Sequence, residues 1–201
     1  MKIAPLAVAL CAALSSTVAV AADGISYNHV EAGYLRTDIA GDASGWAANG
    51  SWAFHPNFHA FAGYASQNVD DARRADFERW HLGVGYNRQV MSKLDFVSRL
   101  SYHMVDFDNA APPFALPPSA SAPIAPRDAD SYTIEAGVRG ALGYRLEGEA
   151  MAGYGDLDVG NGEFYVRLGA QAKFSERWGI AGDVKLFGGD TQWFVGPRLS
   201  W

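Results

Sequence analysis

The stretch QWFVGPRLSW (192–201) decides how this chain is read. Counting back from its end, every second residue is apolar: Trp201, Leu199, Pro197, Val195 and Trp193. Between them stand Ser200, Arg198, Gly196 and Phe194. A repeat of two belongs to a β-strand, whose successive side chains point to opposite faces. One face of this strand is greasy and the other mainly polar. Chain ends otherwise fray into water, so a strand carrying tryptophan to its last position calls for a partner strand and an apolar solvent.

The same alternation runs from Ile25 onward. Ten candidate strands follow, at 25–36, 45–54, 58–67, 77–88, 95–106, 131–142, 145–155, 163–174, 178–187 and 192–201. Most have the length a tilted strand needs to cross a bilayer, about ten residues. Short connections (55–57, 89–94, 143–144, 175–177) alternate with longer ones (37–44, 68–76, 107–130, 156–162, 188–191). Outer-membrane barrels show this rhythm, with turns on the periplasmic side and loops outside.

The faces agree. One carries no charge in sets such as Val30, Ala32 and Tyr34; Trp46, Ala48, Trp52 and Phe54; Trp80, Leu82, Val84 and Tyr86; and Phe164, Val166, Leu168 and Ala170. Aromatics recur near both strand ends, as in the two girdles that flank a lipid band about 25 Å tall. A soluble sandwich shares the alternation; the paired aromatic rings, the strand length and Trp201 set it aside. The expected fold is all-β: an antiparallel up-and-down transmembrane β-barrel of ten strands, with both ends in the periplasm. Eight strands is the fallback, should two segments merge or leave the wall.

The start of the chain points the same way. Met1-Lys2, the uncharged run Ile3–Leu14 and the small residues before Asp23 have the form of a secretory signal peptide, cleaved after Ala21 or Ala22. Residues 1–22 are therefore expected to be removed, leaving 23–201 as one barrel domain. Cys11, the single cysteine, leaves with the signal. Disulfide and thiol chemistry are thus excluded from the mature chain. Its 15 basic and 22 acidic side chains give a net charge of −7, which disfavours nucleic acid as a partner.

The opposite face is polar or glycine. It carries Glu31, Arg79, His81, Arg99, His103, Glu135, Arg139, Glu147, Glu149, Arg167, Lys173, Asp183, Lys185 and Arg198: five acids, seven fixed bases and two histidines. A barrel this narrow has little lumen once side chains fill it. Unpaired charges are costly where water is excluded. Near balance of sign therefore favours a salt-bridged plug over a narrow water-filled channel. Gly-Tyr pairs recur at 33–34, 63–64, 85–86, 143–144 and 153–154. Most of these glycines face inward, where they leave room for bulky neighbours.

The stretches DGISYNHVEAGY (23–34), HPNFHAFAGY (55–64), WHLGVGYN (80–87), YTIEAGVRGAL (132–142), GEFYVRLGAQAKF (162–174) and GDTQWFVGPRLSW (189–201) resemble a family of small outer-membrane barrels from xanthomonad-type bacteria, once described as secreted activators of plant immunity and quorum sensing. The resemblance spans nearly the whole mature chain and weakens over the Pro/Ala-rich segment 108–127. It implies an outer-membrane barrel and supplies no agreed biochemical activity. Trp193, Val195, Leu199 and Trp201 look like the C-terminal signal read by the barrel-assembly machinery. The strand that carries them would close the barrel against 25–36 and remove the free edge. Pro197 lacks an amide hydrogen, so a bulge or a missing bond is expected there.

Little in the chain reads as a reactive centre. His55 and His59 are four apart, but in a turn entering a strand, where helical metal-site spacing does not apply. His103, Asp106 and Asp108 lie near the outer end of one strand without a nucleophile motif. DLDVGNGE (156–163) lacks the acids of a calcium loop at its fifth and twelfth positions and reads as a hairpin turn. No catalytic, cofactor or metal site is expected.

The loops carry a clearer pattern. Twelve of the fifteen aspartates fall in or beside the longer connections: Asp38, Asp42, Asp70, Asp71, Asp76, Asp106, Asp108, Asp128, Asp130, Asp156, Asp158 and Asp190. Only Arg73, Arg74 and Arg127 answer them there. An acidic outer rim follows, bridged by Ca²⁺ or Mg²⁺ to lipopolysaccharide phosphates. The long extracellular loop 107–130 holds six of the nine prolines and reads as a spacer. The expected function is non-enzymatic: a monomeric outer-membrane barrel with a charge-paired interior and acidic loops, structural or surface-interacting, with envelope, biofilm or signalling consequences. A narrow pore is the first alternative and a loop-level hydrolase acting through His103 or Asp106 the second.

Overall fold

The computed structural model describes residues 25–39, 41–69, 76–108, 128–157 and 162–201. Ten strands follow in chain order: β1 (His29–Ile39), β2 (Gly41–His55), β3 (Phe58–Val69), β4 (Asp76–Met91), β5 (Leu94–Asp108), β6 (Asp128–Ala141), β7 (Leu146–Leu157), β8 (Glu163–Lys173), β9 (Trp178–Phe187) and β10 (Asp190–Ser200). Each pairs antiparallel with its sequence neighbour, and β1 pairs with β10, so the sheet is a closed barrel. Closure leaves no strand edge with unpaired amides, which a wall in hydrocarbon requires. The fold is the ten-stranded transmembrane β-barrel that the alternation implies; the eight-stranded fallback falls.

The outward face is apolar. Trp80, Leu82, Val84, Leu100, Ile134, Val166, Leu168 and Ile180 stand exposed on it, far more apolar surface than water tolerates in one contiguous band. Two aromatic belts bound this band. Around one end Trp193 packs on Tyr34 at 5.3 Å, Trp46 on Tyr64 at 5.1 Å, Tyr64 on Trp80 at 4.5 Å and Tyr102 on Tyr132 at 4.9 Å between ring centres. Around the other, Phe54 packs on Phe58 at 6.4 Å and Phe58 on Tyr86 at 5.3 Å, with Phe174, Trp178 and Trp201 exposed beside them.

Three boundaries that position the lumen depart from the sequence reading. Strand β1 starts at His29, and residues 25–28 leave the wall. Ile25, Tyr27 and Asn28 are buried, with Ile25 and Tyr27 packed against Ala53, Val97 and Met151. The connection read as 37–44 shrinks to residue 40, because β1 and β2 extend into a long hairpin. The one read as 188–191 is a two-residue turn at Gly188 and Gly189, whose φ values of 53° and 95° suit glycine and match the twist of a tight hairpin. At Pro197 the expected interruption is present without a bulge: β1–β10 pairing runs from His29–Ser200 to Glu31–Arg198, skips Pro197 and Gly196, and resumes at Tyr34–Val195 in the same register. Register shifts occur beside two turns at the barrel end that holds Trp201, between Ala53 and His55 and between Gln89 and Met91. The proposed signal peptide and segment 109–127 lie outside the described residues.

Candidate functional site: the charged lumen

Alternation along β4–β9 delivers charge to the lumen, and β1 and β10 add Glu31 and Arg198. The apolar cluster Leu35, Ala47, Ala65 and Phe194 covers part of the wall formed by β1, β2, β3 and β10.

Within the charged set two arginines and two glutamates close a ring. Arg99 grips Glu149 with two bonds of 3.1 and 2.7 Å. Arg167 donates to Glu135 at 3.3 and 2.9 Å and lies 3.0 Å from Glu149. Arg99 completes the circuit at 3.6 Å from Glu135. Tyr165 adds a hydroxyl to Glu135 at 3.0 Å. The two-pronged geometry is the strong form of a charge-assisted bond. Every carboxylate here has two cationic neighbours, which offsets the desolvation that makes lone buried charges untenable.

Two smaller groups lie towards the barrel end that holds Trp201. Arg139 donates to Glu147 at 2.7 Å, and Lys173 pairs with the same carboxylate. Arg198 donates to Glu31 at 2.7 Å and reaches Gln171 at 3.3 Å, while Asn49 donates to Glu31 at 3.1 Å. Beneath them sits the N-terminal segment. The Tyr27 hydroxyl donates to Asp95 at 3.0 Å; its ring stacks on His59 with centres 4.8 Å apart and lies 5.0 Å under the Arg139 guanidinium. Asn28 accepts from the Ala53 amide at 2.8 Å. The Asn28 carbonyl accepts from the Trp201 amide at 3.1 Å, and Ser26 donates to the Trp201 carbonyl at 2.9 Å. The segment thus caps this end of the barrel and fastens Ser26 and Asn28 to Trp201.

The expected mutual pairing stops short of three members. Among the described residues, Arg79, Lys185 and Asp183 form no ion pair. Arg79 reaches only Gln192, at 3.4 Å from each terminal nitrogen, and its buried Nε has no partner. Lys185 lies 3.7 Å above the Tyr165 ring. Beside them His103 bonds Ser101 at 3.2 Å and Thr133 at 3.0 Å. A cavity of about 200 Å³ runs through these groups.

The residues suspected of hydrolysis are not assembled. His103 faces the lumen, whereas Asp106 is exposed on the other side of the wall, three positions along β5. Two side chains on opposite faces of a strand cannot share a proton. The Asp108 side chain lies outside the described residues, as do Asp70, Asp71, Asp158 and the arginines 73, 74 and 127. Arg36 also answers the acidic rim: it donates to Asp38 at 3.1 Å and to Asp42 at 2.6 Å. Among the described residues no cluster of three or more His, Cys, Asp or Glu side chains is placed to hold a metal ion. Trp193, Val195, Leu199 and Trp201 stay on the wall, with Val195 and Trp201 exposed on the outward side.

Tyr27, Asp95 and Tyr165 were missed as lumen residues. Their signal was phase: each stands an even number of positions from a charged residue assigned to the interior, Tyr27 from Glu31, Asp95 from Arg99 and Tyr165 from Arg167.

No family model and no curated protein matches this chain. Among solved structures, the KdgM porin in complex with disordered oligogalacturonate is similar, with a TM-score of 0.44 at 12% identity over 88% of this chain and 99% of its own. Ail, the attachment invasion locus protein of Yersinia pestis, gives 0.41 at 12%, covering 88% and 100%. The translocator domain of autotransporter NalP from Neisseria meningitidis gives 0.47 at 11%, covering 98% and 93%.

Proposed function

We propose that this chain is a non-enzymatic β-barrel of the bacterial outer membrane, exported by a cleaved signal peptide, with a structural or surface-interaction role. The observation that carries the reading is the ring of Arg99, Glu135, Arg167 and Glu149, which fills the lumen side of four adjacent strands, β5 to β8, above the cap formed by Tyr27. A lumen lined by paired charges and capped at one end supports a plug better than a conduit. Function then moves to the outward surfaces. The acidic rim would meet lipopolysaccharide through Ca²⁺ or Mg²⁺, and the strand ending at Trp201 would be read by the barrel-assembly machinery. Membership of the xanthomonad-type family of small barrels belongs to the same proposal, as does a monomeric state.

A narrow pore is the second reading, favoured by the cavity of about 200 Å³ with polar side chains around it. Planar-bilayer recording of the purified, refolded chain separates the two. A folded barrel that stays electrically silent agrees with the plug. Discrete, reproducible current steps would overturn it in favour of the pore.

A further inference from the structure

Among the described residues the lumen holds seven fixed cations, and the glutamates Glu31, Glu135, Glu147 and Glu149 engage five of them: Arg99, Arg139, Arg167, Lys173 and Arg198. Arg79 and Lys185 are left over on the side away from the Tyr27 cap. We propose that they form, with Gln192, a binding site for one small oxyanion of the phosphate or sulfate class.

Three features converge on it. Lys185 stands directly opposite Gln192 in the β9–β10 register, and Arg79 crosses the lumen from β4 to the same Gln192. Both cations therefore meet at one side chain. Their bonding is also incomplete among the described residues. A guanidinium has five donors in a planar fork suited to oxyanions; Arg79 spends two on a single neutral oxygen at 3.4 Å and leaves its buried Nε idle. An ammonium has three donors, and the contact recorded for Lys185 is the faces of Tyr165 and Phe187 at 3.7 and 5.7 Å, which take its charge but not its protons. Finally, there is room: both residues line the cavity of about 200 Å³, with His81 and His103 beside them.

Asp183 is the acid to consider. It sits two positions from Lys185 on the same inward face and pairs with neither cation among the described residues. Two cations against one carboxylate leave a positive excess, and leaving a buried charge unmatched is costly. An oxyanion would supply the missing acceptors through short charge-assisted bonds. The site faces the lumen, walled from the bilayer by the sheet, so its ligand is a free anion and not a lipid headgroup. The Tyr27 segment caps the end that holds Trp201, so entry is from the side of the longer loops. None of this depends on whether the lumen conducts.

The test is calorimetric titration of the refolded barrel with inorganic phosphate and with sulfate in low-chloride buffer. Saturable binding at one site is expected, weakened at least tenfold in Arg79→Gln and in Lys185→Met and unchanged in Arg145→Gln, which alters an exposed turn residue. Absence of saturable binding, or equal binding in all four proteins, overturns the site. Gel mobility before and after heating confirms that each variant is folded. Should neither lumen variant refold, crystals of the unaltered chain soaked in tungstate decide. Anion density between Arg79 and Lys185 supports the proposal, and density elsewhere or none overturns it.

Discussion

Arg99 and Glu149 lie two strands apart, on β5 and β7, yet are joined by paired bonds of 3.1 and 2.7 Å that pass over β6. The sheet curves enough to bring alternate strands within side-chain reach, and the ring with Glu135 and Arg167 exploits that curvature. Glu149→Gln leaves Arg99 and Arg167 sharing Glu135. Removing one partner of a buried pair typically costs about 3–5 kcal/mol. Urea unfolding of the refolded barrel should show a loss of this size. The double variant Arg99→Met with Glu149→Leu, which removes both charges, should recover part of it. A double variant no more stable than Glu149→Gln would mean that the loss does not come from leaving Arg99 without its partner.

Tyr27 makes the second test. Its ring lies between His59 and Arg139 while its hydroxyl reaches Asp95. Tyr27→Phe keeps the ring and removes the hydroxyl, an effect of about 1–3 kcal/mol for a buried bond to a charged group. Deleting residues 25–28 removes the cap entirely. A folded deletion variant should admit water further into this end of the barrel, seen as faster hydrogen exchange at Ala53, whose amide donates to Asn28. Unchanged exchange there would show that the segment covers nothing.

Much of this fold was legible because lipid and lumen impose opposite demands on alternate residues. Trp80, Leu82 and Val84 against Arg79, His81 and Gly83 need no partner information to be sorted. The pairing was not legible. Arg99 lies opposite Glu135, and Arg139 opposite Glu149, in register. Yet the shortest bonds join Arg99 to Glu149 and Arg139 to Glu147, because long side chains choose partners by barrel curvature and tilt. Nor could the count of charges reveal that Arg79 and Lys185 stand apart from the acids. The cap was missed because residues 25–28 keep the phase of β1, and phase alone cannot say where a chain leaves the wall.

Glycine placement gives a third prediction. A Cβ on Gly153 would stand 2.3 Å from the Tyr165 ring, inside contact distance. Tyr165 is buried and its hydroxyl serves Glu135, so it cannot withdraw without loosening that bond. Gly153→Ala should cost about 1–3 kcal/mol, as overpacking of a filled interior does. Gly143→Ala is the comparison: nothing lies within 4 Å of its added carbon. Equal unfolding midpoints for the two would show that the lumen yields freely at Tyr165.

The membrane reading itself can be tested at Leu168. This residue stands midway along β8, 53% exposed, with Ala150 and Val184 opposite it on the neighbouring strands. In water an exposed leucine could become arginine at little cost. At the bilayer midplane a charge on the lipid face costs about 2–4 kcal/mol, falling to about 0–1 kcal/mol near the interface. Phe164, 81% exposed in the girdle towards the end of the same strand, supplies the interfacial comparison. Refolding into lipid vesicles should therefore show Leu168→Arg strongly destabilised and Phe164→Arg only slightly. The same loss at both positions would argue against a depth-dependent apolar surround. No loss at Leu168 would place this face in water and remove the reason for its aromatic belts.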